Sequence, residues 1–340
     1  MNQERLSILK MLEEGKISAA EAERLLRAVG DSGEAGAKKD SNPDFFDSVS
    51  EGLSRAFQVV QEVDVGKFVG EVVGEVSETV AGLASTGAKE QVVKEREYVL
   101  DGAAVSRLRA ETANGRIVAR AAAGEQVRVK VSKKVKAPDR VAAEQFVSQI
   151  AVEVEQVGDE IRVYREYPKP PRGVQVEVAY DIECPARLDL SLHSLNGKVE
   201  MDGVGGRVEA VSANGDIELA GGKGRIQART KNGRVRARVD ELAEEGVFSS
   251  ANGKVEVVIG AGDAPLEAKT LNGSVDLTLP EDFNGRVEAQ TTNGRAVSDF
   301  PILVSGKVRK NRLEGPIGQG GDNLVKLRTL NGNISLKKLS

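Results

Sequence analysis

The chain has 340 residues, a formal net charge of −4 and a pI near 5.5, and 40% of its residues are hydrophobic. This length and apolar fraction suffice for two or three domains with a hydrophobic core, whereas the acidic pI argues against a dedicated nucleic-acid-binding protein, which usually carries a basic domain. One cysteine, Cys184, and one histidine, His193, exclude a disulfide framework and leave too few ligands for a conventional metal site.

Residues 1–29 are predicted to form a helical hairpin. Its first apolar stripe consists of Leu6, Ile8, Leu9 and Leu12. Gly15 ends the first helix, and Ser18-Ala-Ala-Glu21 is a capping box that opens the second. A unit with so little core is expected to dock on another copy or on a partner. Residues 30–42 are polar and lack periodicity, which is typical of a linker.

Residues 43–90 are predicted to form an amphipathic helical segment. Its apolar positions recur at helical spacing and include Phe46, Val49, Leu53, Phe57 and Val60. Gly66, Gly70 and Gly74 are spaced by four, so they form a small-residue groove where another backbone can approach closely. Glu71 and Glu75 on the polar face would be repelled by an anionic bilayer. Self-association, or packing on the β domain, is therefore favoured over membrane binding.

From residue 91 to residue 340 the chain is predicted to be mainly β structure, because strand-length stretches alternate apolar and polar residues. One phrase, Ser or Thr followed two places later by Asn-Gly, keeps returning. The repeat asparagines are Asn114, Asn196, Asn214, Asn232, Asn252, Asn272, Asn293 and Asn331. Spacings of 18 to 21 residues from Asn196 to Asn293 indicate one two-stranded unit, here called a rung, that is repeated and stacked. Residues 322–340 are predicted to form the closing rung.

Each rung is predicted to contain two short strands joined at an Asn-Gly corner. Val208, Ala210 and Ser212 share one face, and Ile217, after the corner, is expected to point to the same side. Left-handed backbone at Asn-Gly is expected to provide the corner. The pattern fits both an antiparallel meander of tight hairpins and a right-handed β-solenoid of parallel strands. We favour the solenoid, because stacking rewards the same Ser or Thr before the same Asn in every repeat.

The search for catalytic groups gives two candidates, and both have plainer explanations. His193 lies near Ser191 and Ser194, but strand alternation is expected to place it on the opposite face from both, which argues against a triad. Stacking would align carboxylates three residues after the repeat glycines in an outward column. This column contains Glu200, Glu218, Glu256 and Asp276, with Arg236 in the middle. Its spacing fits a glycosidase, yet a flat, solvated column has nothing to raise a pKa. We therefore predict neither catalytic residues nor a cofactor.

Two basic stretches are candidate contacts for an anionic polymer or phospholipid headgroups. The first contains Lys133, Lys134 and Lys136, and the second contains Lys307, Arg309 and Lys310. Most charge runs of this size are simply solvated.

The two ends of the chain resemble a known bacterial family. The segment from Glu4 to Leu26 is similar to the SHOCT-like N-terminal domain of YvlB/LiaX-type proteins. The Leu-Asn-Gly phrases and the closing Leu327-Arg-Thr-Leu-Asn-Gly-Asn-Ile-Ser-Leu336 resemble the "putative adhesin" β-solenoid domain that follows it in that family. The resemblance implies a non-enzymatic protein of the envelope stress response whose partners include membrane-associated signalling proteins. It implies no catalytic residues.

The expected function is therefore that of a non-catalytic interaction or scaffold protein, with a carbohydrate-binding or carbohydrate-active β-helix as the alternative. Neither an apolar signal region at Met1 nor a bilayer-length apolar stretch is found in the sequence. A cytoplasmic location, with contact to the membrane or envelope, is expected.

Overall fold

The computed structural model describes residues 75–86, 89–302 and 310–339. These all belong to the second of two units, residues 1–43 and residues 44–340, into which the chain divides. The predicted hairpin of residues 1–29, the linker of residues 30–42, and residues 43–74 with their three spaced glycines lie outside the described residues.

The described strands form two long sheets. Sheet I contains twelve strands: β1 (Glu75–Thr86), β2 (Lys89–Asp101), β4 (Ile117–Ala122), β5 (Gln126–Ala137), β8 (Gln175–Pro185), β10 (Val199–Asp202), β12 (Ile217–Ala220), β14 (Val235–Glu241), β16 (Val255–Ala261), β18 (Val275–Leu279), β20 (Ala296–Ser298) and β23 (Ile334–Lys338). Sheet II contains eleven: β3 (Arg107–Asn114), β6 (Ala151–Val157), β7 (Glu160–Glu166), β9 (Asp189–Asn196), β11 (Val208–Ser212), β13 (Ile226–Asn232), β15 (Gly246–Asn252), β17 (Leu266–Asn272), β19 (Gly285–Asn293), β21 (Arg312–Ile317) and β22 (Leu324–Asn331).

From β9 to β18 the chain alternates between the two sheets, and each Asn-Gly corner carries it from sheet II to sheet I. Strand β11 pairs in parallel with β9 and β13, whereas β12, which follows it in the chain, pairs with β10 and β14. An antiparallel meander would pair β11 with β12. The meander alternative is therefore wrong, and the two parallel sheets have the arrangement expected of a β-solenoid.

The core lies between the two sheets and consists of the side chains that the alternation of apolar and polar residues predicted to point inward. Val208, Ala210, Ser212 and Ile217 are all buried. One rung breaks the template, because the bulky Phe248 occupies the position that is alanine in neighbouring rungs. Gly246 stands two residues earlier, where neighbouring rungs have isoleucine and leucine, and a Cβ there would lie 3.0 Å from the Phe248 ring. The missing side chain at one position thus makes space for the large one at the other.

Among the described residues, β structure begins earlier than the predicted residue 91, at Glu75. Residues 75–86 form a strand that pairs antiparallel with β2, so the predicted helix is wrong for this part of the 43–90 segment. The segment contains the β-branched residues Val76, Thr79, Val80 and Thr86, which favour extended backbone. Pairing along most of β2 gives this strand a hydrogen-bonded partner, and tertiary contact thereby overrides the helical spacing.

The rung of residues 322–340, which was predicted to close the stack, lies inside it. Strand β22 lies between β17 and β19 in sheet II, and β23 lies between β18 and β20 in sheet I. The rung of residues 285–298 is therefore the terminal one, and the chain turns back to insert residues 324–338 beneath it. Repeat phrases are alike, so local sequence does not determine which rung stacks on which. In sheet II the terminal strand β19 is covered by the antiparallel β21, whereas sheet I ends on the three-residue β20.

At the other end, antiparallel strands and one helix complete the stack. Strands β1, β2, β5 and β8 extend sheet I, and the hairpin β6–β7 extends sheet II. Helix α1 (Arg140–Ser148) packs here, and the carboxylate of its N-cap, Asp139, accepts a hydrogen bond from the backbone N–H of Ala142.

Candidate interaction surface along the Asn-Gly corners

A ladder of asparagine side chains runs along the Asn-Gly corners. In each step the Nδ2 of one asparagine donates to the Oδ1 of the asparagine in the preceding rung, at 2.7 or 2.8 Å. The order in the stack is Asn114, Asn196, Asn214, Asn232, Asn252, Asn272, Asn331 and Asn293. Asn114 only accepts, and each of the other seven amides uses one of its two N–H groups in the ladder. The other donor is left for water or for a ligand along this solvent-facing edge.

Beneath the ladder, the repeat Ser or Thr hydroxyls bind the glycine carbonyls. Thr230 Oγ1 donates to the carbonyl oxygen of Gly215 at 2.8 Å, and Ser212 Oγ donates to that of Gly197 at 3.0 Å. A Cβ at Gly233 would lie 2.1 Å from the Gly215 oxygen, which is closer than any real contact. Most repeat glycines, Gly233 included, do not have positive φ. The explanation by left-handed backbone is therefore wrong for them, and close stacking of the rungs is what requires glycine.

Beside the ladder, two charged columns run along the outer face of sheet I. The first column follows the repeat glycines directly and consists, in stack order, of Arg116, Lys198, Asp216, Arg234, Lys254, Ser274, Asn333 and Arg295. The second contains the predicted carboxylates and consists of Val118, Glu200, Glu218, Arg236, Glu256, Asp276, Ser335 and Val297. The register of the strands thus forms the predicted carboxylate column, with Arg236 at its middle.

Basic side chains neutralise this carboxylate column. Lys198 Nζ lies 2.9 Å from a carboxylate oxygen of Glu200 and 2.7 Å from one of Glu218. Hydrogen bonding to Glu218 is the main cause of the raised pKa of Lys198, which keeps the ammonium charged. Lys254 bridges Glu256 and Asp276 in the same way, at 3.2 and 2.7 Å. Carboxylates that are bridged by lysines and lie partly open to solvent lack the enclosed, apolar surroundings of a general acid.

The first predicted basic stretch divides between two faces of β5. Lys134 and Lys136 line a groove of 390 Å³ together with Arg116 and Lys198. Lys134 pairs with Glu177 at 3.1 Å. Lys133 has the opposite parity, and its ammonium donates to the backbone carbonyl of Ile150 at 2.8 Å, near the end of α1. The stretch therefore does not form one continuous basic surface, and Lys133 has a structural contact.

A second groove, here called the C-terminal groove, lies where sheet I ends and has a volume of 840 Å³. Its lining includes Lys254, Ser274, Asp276, Arg295, Lys310 and Ser335. Of the second predicted basic stretch, Lys310 thus lines this groove, whereas Lys307 and Arg309 lie outside the described residues.

His193 lies on the outer face of sheet II, and its predicted orientation relative to Ser191 is wrong. Residues two apart on a strand share a face, and Ser191 Oγ is 3.2 Å from His193 Nε2. Nδ1 is 3.7 Å from Glu111 Oε1 and forms no hydrogen bond, and Nε2 is 3.8 Å from Glu209 Oε2. Burial by itself lowers the pKa of His193, but the two carboxylates outweigh it, so that the pKa lies above its usual value of 6.5.

The Ser191–His193–Glu111 arrangement resembles a hydrolytic triad in composition but lacks the rest of such a site. His193 is only 3% exposed. Strand β9, which carries both Ser191 and His193, is paired with β3 on one side and β11 on the other, so its backbone N–H groups are engaged in the sheet. A hydrolase needs free donors for an oxyanion and room for a substrate beside the nucleophile. The cluster is better explained as a charged network within a sheet face.

Within the described parts of the chain, no group of three His, Cys, Asp or Glu side chains is placed to hold a metal ion. No helix among these residues has both the length and the apolar character needed to cross a bilayer.

Comparison with known proteins identifies the N-terminal domain and gives weak similarities for the rest. Residues 3–34 match the SHOCT-like domain family, which confirms a SHOCT-like domain at Glu4 to Leu26 and extends into the predicted linker. No curated protein matches the chain.

Several solved structures resemble the fold. A "putative cell adhesion protein" from Clostridium sporogenes has 10% identity and a TM-score of 0.32, and the alignment covers 73% of this chain and 100% of that one. "Putative adhesins" from Bacteroides fragilis and Parabacteroides merdae have 12% and 7% identity and TM-scores of 0.34 and 0.32, with 73% of this chain and 97% and 96% of theirs covered. These similarities are too low to transfer a function.

Proposed function

We propose that this chain is a non-catalytic interaction protein whose long stack of strands serves as a binding surface. The observation that carries the proposal is the neutralised carboxylate column, since the carboxylates most suited by spacing to acid–base chemistry are bridged by Lys198 and Lys254. The same surface offers a continuous edge of exposed asparagine amides and two grooves lined by basic side chains. Such an edge suits recognition of an extended partner.

For its partners we propose membrane-associated signalling proteins of the envelope stress response, contacted through the SHOCT-like domain. The proposal follows from the sequence resemblance of the domain order to YvlB/LiaX-type proteins, and the match over residues 3–34 gives the bounds of the SHOCT-like domain that would make the contact. A small helical domain with little core of its own gains stability by docking on a partner.

A crosslinking pull-down tests the proposal. Full-length protein and a variant lacking residues 1–34 are expressed in cells grown with and without an envelope-active antibiotic. We expect membrane signalling proteins to be captured by the full chain and lost from the deletion variant. Identical capture by both variants would contradict the role given to the SHOCT-like domain, and the absence of any specific protein partner would contradict the proposed function itself.

The second candidate, a carbohydrate-active or carbohydrate-binding β-helix, depends on the carboxylate column. The double variant Glu200→Gln/Glu218→Gln removes both carboxylates that Lys198 bridges. If that column acts on glycans, the variant loses glycan hydrolysis or binding that the unsubstituted chain shows on an array of bacterial polysaccharides. We expect no such signal from either protein.

For the winding of the stack we propose the right-handed sense, because crossover connections between parallel strands of one sheet are right-handed in nearly all proteins. An experimentally phased structure of residues 75–340 within the full chain would test this directly.

A further inference from the structure

We propose that the C-terminal groove binds the phosphate groups of a linear polyanion. The inference deepens the proposed function, because it gives one surface of the interaction protein a ligand class.

The first observation is a local excess of positive charge. Along the second column the charged positions end at Asp276, and the two terminal rungs carry Ser335 and Val297 instead. Lys254 still has two carboxylate partners, but Arg295 and Lys310 form no ion pair with any residue that the structure describes. In a chain with a net charge of −4, two uncompensated cations at one groove constitute a distinct anion-binding feature.

The second observation is the set of neutral donors beside these cations. The hydroxyls of Ser274 and Ser335 line the groove, and neither forms a hydrogen bond to another described residue. Asn333 also lines it, and its Oδ1 accepts from the backbone N–H of Arg295 at 3.0 Å, which leaves the amide nitrogen available. A guanidinium, an ammonium, two hydroxyls and an amide together supply the several donors that a phosphate group accepts.

The third observation is the length of the groove. Lys254, Ser274, Asn333 and Arg295 stand on four consecutive rungs. Adjacent strands lie about 4.8 Å apart, so the first and last of these residues are separated by roughly 14 Å. One phosphate group would contact only part of this length, whereas a linear polyanion can place successive groups along it.

A bilayer surface fits the groove less well. Val297 is the only large exposed hydrophobic side chain among the described residues that line it. Peripheral membrane binding usually combines basic residues with an apolar face that enters the headgroup region. The observations therefore favour a soluble or wall-bound phosphate polymer over phospholipid headgroups.

The test measures binding of the full chain to three probes: inorganic polyphosphate, inorganic monophosphate, and phosphatidylglycerol vesicles. The test variant is Arg295→Gln/Lys310→Gln. The matched control is Lys223→Gln/Arg225→Gln, which removes one lysine and one arginine charge from surface pairs with Glu241 and Glu244, outside the groove. All four residues are exposed or partly exposed, and thermal unfolding checks that each variant is folded.

We expect polyphosphate to bind more tightly than monophosphate. The test variant should weaken polyphosphate binding about tenfold or more. The dependence of polyphosphate affinity on salt concentration should fall by the amount expected for the loss of about two phosphate contacts, and the control variant should change both quantities little. The proposal is overturned by any of three results: no polyphosphate binding, equal weakening by test and control variants, or binding to vesicles only. Protein capture by the full chain in the pull-down is independent of these results, so failure here is distinguishable from failure of the proposed function.

Discussion

Removing one asparagine from the middle of the ladder is predicted to cost about twice as much stability as removing the last one. Asn232 donates to Asn214 at 2.7 Å and accepts from Asn252 at 2.8 Å, so Asn232→Ala removes two side-chain hydrogen bonds. Asn293 makes a single ladder bond, to Asn331 at 2.8 Å. A hydrogen bond contributes about 0.5–1.5 kcal/mol net, and exposed amides that can rehydrate fall near the lower end. The expected loss in free energy of unfolding is thus about 1–2 kcal/mol for Asn232→Ala and about 0.5–1 kcal/mol for Asn293→Ala.

Urea denaturation followed by circular dichroism measures the total change, and amide hydrogen exchange locates it. The second measurement matters because a stacked repeat protein can open near one rung without unfolding as a whole. Both variants carry the same substitution, so the change in intrinsic strand preference is similar and the comparison isolates the number of ladder bonds. Equal destabilisation by the two variants, or unchanged exchange in the rungs flanking residue 232, would refute the ladder as a source of stability.

Four further predictions concern other features of the chain. The pKa of His193 in the folded protein lies above 6.5, so its charged form stabilises the fold fully at about pH 6 and below, down to the pH at which the neighbouring carboxylates protonate. This contribution is lost as the pH rises through the pKa of His193 in the folded protein. The difference in free energy of unfolding between the unsubstituted chain and His193→Gln should therefore shrink from pH 5.5 to pH 9. Gly233→Ala forces a Cβ to within 2.1 Å of a backbone oxygen and should prevent folding or lower the melting temperature by more than any ladder variant, whereas a normal melting temperature would contradict the close stacking. Burial raises the pKa of Cys184 to about 12, so a thiol reagent at neutral pH should react with it only after denaturation, and reaction in the native protein would disprove this. If the segment containing Gly66, Gly70 and Gly74 mediates self-association, Gly70→Leu should lower the mass seen by analytical ultracentrifugation, and an unchanged mass would remove that hypothesis.

The repeat register was predictable because it depends on side chains that every rung shares. The Asn-Gly phrase gives a period, and alternation assigns Val208, Ala210 and Ile217 to the interior. Stacking in register follows, since a shift by one residue would expose this apolar set. The carboxylate column is aligned for the same reason. The bridging of neighbouring carboxylates by Lys198 and Lys254 was not predictable, because those pairs depend on side-chain reach between rungs.

The face of His193 was predictable in principle, since Ser191 and His193 have the same parity on one strand. Its partners were not, because Glu111 belongs to β3, which is separated from β9 along the chain by β4 to β8 and α1. Long-range pairing thus created the charged network that raises the pKa of His193.

The sequence by itself determined the repeating unit, its inward and outward faces, and the SHOCT-like start of the chain, because each of these depends on neighbouring residues or on a local motif. Only the tertiary structure decided that residues 75–86 are a strand, that β22 and β23 insert beneath the rung of residues 285–298, and that Arg295 consequently stands at the end of sheet I. The physical reason is that similar rungs can stack on one another in any order, and their order is set by the long-range contacts of the whole chain rather than by the phrase that they share.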